Sequence, residues 1–327
     1  MSTLAPADLT GLAEAVEGHF PVANPGPLFA EAAQIRERRL VAFALAPHVA
    51  LDRAAVEAFV EVTRPLTSGA SVDVFLDGGA ALSLEGWRLV SFLHEHFDRY
   101  AALLPFATSP AMTLVALGAN ELVMTDVASL APLAPPDLSP EARALPADLE
   151  AARRLLGQEQ AQALLPRLLQ GIDVHHIGRI TRGWRVVRAL ARAALETHLP
   201  AERGADRLDA ALDALCSEGL PTDLPFTRRD CEGRLGLPVV RPDDALSSVI
   251  WRLHGHYRQH FAIEGDWRWN ERHFAISYDG FIETAHERRV LLRVHRTDER
   301  GRRGELAFTR WVRPGGQEVV MDREVAL

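Results

Sequence analysis

The sequence predicts an α/β protein in which helices surround a parallel sheet, with a small antiparallel β module at the C-terminus. Two observations predict it. Short apolar runs alternate with helical segments over the first part of the chain, which is the pattern of parallel strands joined by helical crossovers. From residue 267 onward, apolar and polar residues alternate as they do in half-buried strands.

The strands and helices follow in order along the chain. Predicted strands such as RLVAFAL are short apolar runs or alternate in polarity, and they span residues 39–45, 72–76, 101–106, 121–124, 267–278, 283–296 and 306–313. Predicted helices repeat their apolar residues every three or four positions, and they span residues 9–19, 53–63, 84–99, 113–118, 150–170, 177–198, 206–218 and 243–261. Five prolines between residues 130 and 146 predict a loop, because proline lacks the backbone donor that a helix or central strand needs.

This pattern divides the chain into three parts. Residues 1–34 form an N-terminal helix and linker, residues 35–261 form the main domain with a helical extension, and residues 262–327 form the β-rich C-terminal module. Within that module, Asp279 and Gly280 predict a turn between two strands.

Composition excludes several classes of function. All 36 basic residues are arginine, so no mechanism can use a lysine base, a Schiff base or a Ser-Lys dyad. The net charge of −8, without a basic cluster, argues against nucleic acid as a partner. The chain has no apolar run of about 18 residues and no signal peptide pattern at its N-terminus, so we expect a cytoplasmic protein without a membrane partner.

Small and polar residues follow two of the predicted strands. Gly78 and Gly79 come after strand 72–76, and Ser109 comes after strand 101–106. Because functional groups of open parallel sheets gather where the strands end, we expect these residues to share one site.

Three segments carry a resemblance to a known family. They are FATSPAMTLVALGANELVMTDVASLAPLAP at 106–135, SVDVFLDGG at 71–79 and EGLPTDLPFTRRDCEGRLGLPV at 218–239. In this order and spacing they resemble the serine dehydrogenase proteinase family, relatives of ClpP and of signal peptide peptidase SppA. The resemblance extends over roughly residues 35 to 260, and the C-terminal module lies outside it.

The resemblance implies a ClpP/crotonase-type fold in which a serine at a strand-to-helix turn attacks a peptide carbonyl. Ser109 would be this nucleophile. Gly78 and Gly79, with Pro110 and Ala111 after the serine, would form the oxyanion and substrate-binding positions. The resemblance also implies a peptide or protein partner and a homo-oligomer, as a trimer or a multiple of one.

The chain departs from the family pattern at the residues that would do this chemistry. Pro110 has no backbone N–H, and the loss of one oxyanion donor typically costs about 2.7–4 kcal/mol. Aligned without a gap, Pro110 stands where the family keeps its serine, and Ser109 fits only if one residue is inserted before Thr113. Asp77 replaces the proline of the family's PGG motif.

A serine nucleophile also needs a base, and only histidines are available. His94, His96, His175 and His176 are candidates, and a similar histidine in the family points to His175 as the catalytic partner.

Metal and cofactor signals are weak. His256 and His260 have the i, i+4 spacing of metal ligands but lack an accompanying carboxylate motif, so we predict no metal site. Residues 78–81 lack the GxGxxG pattern of a dinucleotide loop, and we predict no cofactor.

Three functional hypotheses follow. The first is a serine-peptidase-like protein with weak or absent catalysis that acts by binding peptides or proteins, or as a scaffold. The second is an active, ATP-independent serine endopeptidase that uses Ser109. The third is a non-enzymatic oligomeric protein that recruits partners through residues 262–327.

Overall fold

A nine-stranded mixed sheet forms the centre of the protein. The computed structural model describes residues 24–66, 68–80, 84–135, 150–151, 153–155, 174–197, 205–217, 224–261, 264–269, 272–297 and 303–313. The strands are β1 (Arg39–Leu45), β2 (Ser71–Gly78), β3 (Arg99–Leu104), β4 (Glu121–Met124), β5 (Ser129–Leu130), β6 (Phe226–Thr227), β7 (Val239–Val240), β8 (Glu264–Trp269), β9 (Arg272–Glu283), β10 (Arg288–Thr297) and β11 (Arg303–Val312).

Helices cover both faces of this sheet. The helices are α1 (Gly26–Arg36), α2 (Arg53–Thr63), α3 (Leu84–His96), α4 (Pro110–Leu117), α5 (Val174–Glu196), α6 (Ala205–Leu215) and α7 (Asp244–Phe261), with a π-helical turn at Asp230–Arg234. None of the helices in the described ranges is long and apolar enough to cross a membrane.

The strand order is β11-β10-β9-β1-β2-β3-β4-β7, with β8 paired to β9. The β1, β2, β3, β4 and β7 strands run parallel to one another, whereas β8 to β11 pair antiparallel. Strands β5 and β6 form a separate two-stranded sheet. The α/β class and the parallel core predicted from the sequence are therefore confirmed.

The C-terminal strands do not form a sheet of their own, which corrects the expectation of a separate module. Strand β9 pairs with β1 from Ala42 opposite Glu283 to Leu45 opposite Gly280, so the antiparallel strands extend the main sheet. The predicted turn at Asp279 and Gly280 is wrong, since both lie inside β9. A β-carbon at Gly280 would lie 2.8 Å from the Trp311 side chain, so this glycine permits close packing there.

Several element boundaries agree with the sequence pattern, but the predicted strand at 267–278 is wrong, because its residues belong to two strands, β8 and β9. Residues 39–45, 53–63 and 121–124 form the predicted strand, helix and strand. Helix α4 begins at Pro110 instead of residue 113, because Ser109 caps it. The predicted helix at 9–19 lies outside the described residues, as does most of the one at 150–170.

Side chains on β2 alternate between the two faces of the sheet. Val74 and Leu76 pack into the core with α2 to α6, whereas Phe75 packs into the core with α1 and α7. Asp73 and Asp77 share the side of Phe75, since side chains in a strand alternate with a period of two. This register directs Asp77 toward α7.

A buried carboxylate anchors α7 to the sheet. Glu283 on β9 has 0% of its surface exposed, and the Tyr257 hydroxyl donates a hydrogen bond of 2.7 Å to its Oε2 atom. The Arg288 Nε atom lies 3.1 Å from its other oxygen. Burial raises the pKa of Glu283, while Arg288 and the Tyr257 hydrogen bond oppose that rise. The wild-type protein thus loses part of its stability as the pH rises through the interval between the unfolded and folded pKa values.

Replacing Tyr257 with phenylalanine is expected to lower the free energy of unfolding by about 1–3 kcal/mol, because a buried carboxylate loses its donor. The loss should be larger at pH 8 than at pH 5, since the hydroxyl stabilises the ionised form of Glu283. Urea unfolding at both pH values measures it. Tyr100→Phe is the control, because the Tyr100 hydroxyl donates to the uncharged Val115 carbonyl. Equal pH dependence in the two variants would contradict the prediction.

Candidate active site

Ser109 lies at the turn between β3 and α4. It has extended backbone angles (φ −76°, ψ 165°), and its Oγ atom accepts a hydrogen bond of 3.2 Å from the Met112 N–H. Ser109 is therefore the N-cap of α4. Pro110 occupies the first helical position, where proline is favoured because the N–H of that residue has no helical partner. Ala111 is fully buried behind it.

A hydroxyl network fixes the loop that carries Ser109. The Thr108 and Thr113 hydroxyl oxygens lie 2.7 Å apart, and the Ala131 N–H donates to Thr113 Oγ1 at 3.0 Å. The Thr108 N–H donates to the Ser129 carbonyl at 2.9 Å. The serine turn is thus held between α4 and the chain around β5.

The glycine pair allows the end of β2 to approach Ser109. Gly78 and Gly79 have φ angles of +74° and +79°, a region that residues with a β-carbon rarely adopt. A β-carbon would lie 1.8 Å from the Leu45 carbonyl oxygen at Gly78, and 3.1 Å from Ser109 Oγ at Gly79. Only glycine fits at the first position. The structure therefore places the glycine pair beside Ser109, as the positions of the predicted strand ends indicated.

Backbone donors for an oxyanion are scarce beside Ser109. The Gly79 N–H donates to the Leu45 carbonyl at 3.1 Å, so the sheet already uses it. Pro110 has no N–H to offer. Two of the donor positions that the family resemblance implies are therefore not free to bind an oxyanion.

A cavity of about 440 Å³ opens at this end of the sheet. Ser109, Gly78 and Gly79 line it, whereas Pro110 and Ala111 are absent from its lining. The other residues that line it are Pro47, Asp77, Phe106, Ala107, Thr108, His254 and Arg258.

A histidine and an aspartate meet in the wall of this cavity. His254 Nδ1 lies 2.7 Å from Asp77 Oδ2, and Asp77 is only 5% exposed. A carboxylate accepts, so Nδ1 carries the hydrogen and the carboxylate sets the tautomer and orientation of the ring. No hydrogen bond among the described residues occupies His254 Nε2 or joins it to Ser109.

Two aromatic side chains flank the His254 ring. The ring centroid of Phe106 lies 6.0 Å from that of His254, and the centroid of Trp251 lies 5.3 Å from it. Both are unusually exposed for their size, at 48% for Phe106 and 39% for Trp251. They form an apolar wall beside the histidine.

His175 lies elsewhere. It is exposed near the start of α5 and does not line the cavity. Helix α5 packs with α4 in one core, whereas α7, which carries His254, packs in the core on the other face of the sheet. His94 Nε2 is 2.8 Å from the Gly118 carbonyl oxygen. Of the histidines of the described residues, His254 is the one that lines the cavity with Ser109.

The two histidines that were considered for metal binding contact each other on α7. The His256 and His260 rings lie 4.4 Å apart, and His260 Nδ1 lies 2.6 Å from the His256 carbonyl oxygen. Burial, with the nearby charges of His260 and Arg288, lowers the pKa of His256 to about 4. Within the described ranges, no group of three or more His, Cys, Asp or Glu side chains is placed to hold a metal ion.

The two cysteines do not supply an alternative nucleophile. Cys216 and Cys231 are buried and free, and burial raises the pKa of each thiol to about 12. A reactive cysteine needs a substantial thiolate fraction near neutral pH.

Sequence reasoning missed the Asp77–His254 pair, although a signal was present. In the sequence, Asp77 stands out only as a departure from the PGG motif, and His254 only as a neighbour of the possible metal ligands. Trp251, His254 and Arg258 are spaced by three and four residues, which places them on one face of α7. An aspartate at a strand end and a histidine on such a face would have been the signal.

The cavity therefore combines a helix-capping serine, a carboxylate-oriented imidazole and an exposed arginine. Such a group can bind a polar ligand, and the imidazole can transfer a proton to or from a nucleophile beside it. Comparison of the chain with protein-family models, with curated proteins and with solved structures finds no match.

Proposed function

We propose that this protein is a slow serine hydrolase that acts on a peptide or related acyl substrate. Ser109 is the nucleophile, His254 the general base and Asp77 the residue that orients it. One observation carries the proposal: the hydrogen bond of 2.7 Å between Asp77 and His254 lies in the wall of the cavity that Ser109 lines. Serine, histidine and aspartate in one cavity are the constituents of acyl-transfer sites on unrelated folds.

The reaction would proceed in two steps. As the bond from Ser109 Oγ to the substrate carbonyl carbon forms, His254 Nε2 takes the hydroxyl proton and then gives it to the leaving amine or alkoxide. Water next attacks the carbonyl carbon of the acyl-enzyme, and His254 takes a proton from it. The bond from that carbon to Ser109 Oγ then breaks, His254 returns the proton to Oγ, and the carboxylic acid product leaves. Asp77 stabilises the imidazolium in both steps.

The donor arrangement around Ser109 explains why turnover would be slow. Pro110 offers no N–H, and that of Gly79 is bound to Leu45. The absence of one oxyanion donor costs about 10²- to 10³-fold in rate. In addition, Ser109 Oγ accepts the Met112 hydrogen bond in the resting state.

A ClpP/crotonase-type fold and membership of the serine dehydrogenase proteinase group belong to the same proposal. The parallel strands β1 to β4 and the glycine pair beside Ser109 support them. A trimeric assembly and a cytoplasmic location stay predictions, and native mass spectrometry of the purified chain tests the first.

A second candidate function is peptide binding without turnover. Pro110 favours it, because a proline after the nucleophile removes a donor while it stabilises the first turn of α4. Under this alternative, Asp77 and His254 would contribute to ligand binding alone.

Labelling with a fluorophosphonate probe separates the two functions. We expect slow modification of the wild-type protein at Ser109 and none of Ser109→Ala. His254→Gln should slow labelling at least about 100-fold, the usual contribution of a general base. His175→Gln is the matched control and should label at the wild-type rate. Mass spectrometry identifies the modified residue. A folded wild-type protein that resists labelling would favour binding without turnover, and a defect confined to His175→Gln would reinstate that residue as the base.

A further inference from the structure

We propose that the ligand of this cavity is an acidic peptide, whose carboxylate pairs with Arg258 while an apolar side chain packs against Phe106 and Trp251. This inference deepens the proposed function, because it names the substrate class of the same site. It rests on the charge of Arg258, on Phe106 in the cavity wall and on Trp251, which lies beside Phe106 and His254 outside the described lining.

Arg258 has no carboxylate partner among the residues that the structure describes. It lines the cavity and its side chain is exposed. Most arginines around the sheet have carboxylate partners, such as Arg252 with Glu31 at 2.7 Å on the same helix. Among the ion pairs of the described residues, none includes Arg258. An exposed guanidinium at a cavity favours a carboxylate ligand, which it can bind through two hydrogen bonds.

The other charged groups of the cavity do not cancel this preference. Among the described residues of the lining, Asp77 is the one acidic residue, and it is buried against His254. Asp77 is only 5% exposed, so its carboxylate is largely shielded from the cavity. Arg258 is therefore the exposed charged side chain of the described lining.

Helix α7 orders these groups along one face. Trp251, His254 and Arg258 succeed one another at three- and four-residue spacing. Four residues correspond to about 6 Å along a helix axis. A carboxylate at Arg258 would thus lie about two residues away from a peptide group beside His254, while Trp251 precedes His254 on the same helix.

A binding experiment tests this without depending on catalysis. Fluorescein-labelled peptides would carry a central phenylalanine, with glutamate or glutamine at each flanking position in turn. Fluorescence anisotropy with Ser109→Ala measures their affinities at low salt. At one of the positions that flank the phenylalanine, we expect the peptide with glutamate to bind about 5- to 10-fold more tightly than the peptide with glutamine.

Two arginine variants, each made in the Ser109→Ala background, assign the preference. Arg258→Gln should abolish the preference for the glutamate peptide, whereas Arg252→Gln, on the same helix, should leave that preference unchanged. Equal affinity for the two peptides, no binding of either, or a preference that survives Arg258→Gln would overturn the proposal. Failure of fluorophosphonate labelling with an intact preference would refute the hydrolase and leave the acidic-peptide site standing.

Discussion

Replacing Pro110 with alanine is expected to accelerate acylation of Ser109 by about 10²- to 10³-fold, the usual contribution of one oxyanion donor. The variant restores a backbone N–H directly after the nucleophile. The phosphoryl oxygen of a fluorophosphonate occupies the same position as a substrate oxyanion, so the second-order rate constant of labelling reports the effect. The change should cost little stability, because alanine is accepted in the first turn of a helix.

Pro27→Ala is the control for this experiment. Pro27 lies in the first turn of α1 and does not line the cavity, so its new N–H should leave the labelling rate within about twofold of wild type. A Pro110→Ala protein that folds and labels no faster would show that the missing donor does not limit the reaction. The peptide-binding function would then be preferred.

Gly78→Ala is expected to have the largest effect on stability, on the order of 4 kcal/mol. Its φ of +74° is strained for any residue with a β-carbon, and that carbon would lie 1.8 Å from the Leu45 carbonyl oxygen. The carbonyl oxygen belongs to backbone at the β1–β2 pairing, and the backbone fixes the position of the β-carbon, so neither atom can rotate away. Strand β2 would have to separate from β1 just before the active site.

Gly236→Ala measures how much a left-handed backbone angle alone lowers the free energy of unfolding. Its φ is +64°, yet no atom lies within 4 Å of the place that a β-carbon would take. It should lose only the roughly 1–2 kcal/mol that a left-handed backbone costs. Chemical denaturation of both variants measures the difference. Similar losses in the two proteins would mean that the Leu45 contact relaxes at little cost.

Local patterns were sufficient to predict much of the fold. Strand β1 is a continuous apolar run because both of its faces are buried, and α2 has a capping aspartate, Asp52, before its apolar face. The proximity of Ser109 and the glycine pair was also predictable, since both follow neighbouring parallel strands.

Other features depended on contacts that local pattern does not encode. Asp279 and Gly280 have turn-forming chemistry, but the pairing of β9 with β1 keeps them in a strand and packs Trp311 over the glycine. Likewise, His175 matched the family pattern in sequence, yet α5 lies on the face of the sheet opposite α7.

The sequence by itself determined the α/β class, the parallel strands and the position of Ser109 beside Gly78 and Gly79, because these follow from periodicity and strand ends. The tertiary structure alone decided which histidine lines the cavity with Ser109. Asp77 and His254 are separated by 177 residues, and their contact exists because the pleat of β2 turns Asp77 toward the face on which α7 packs.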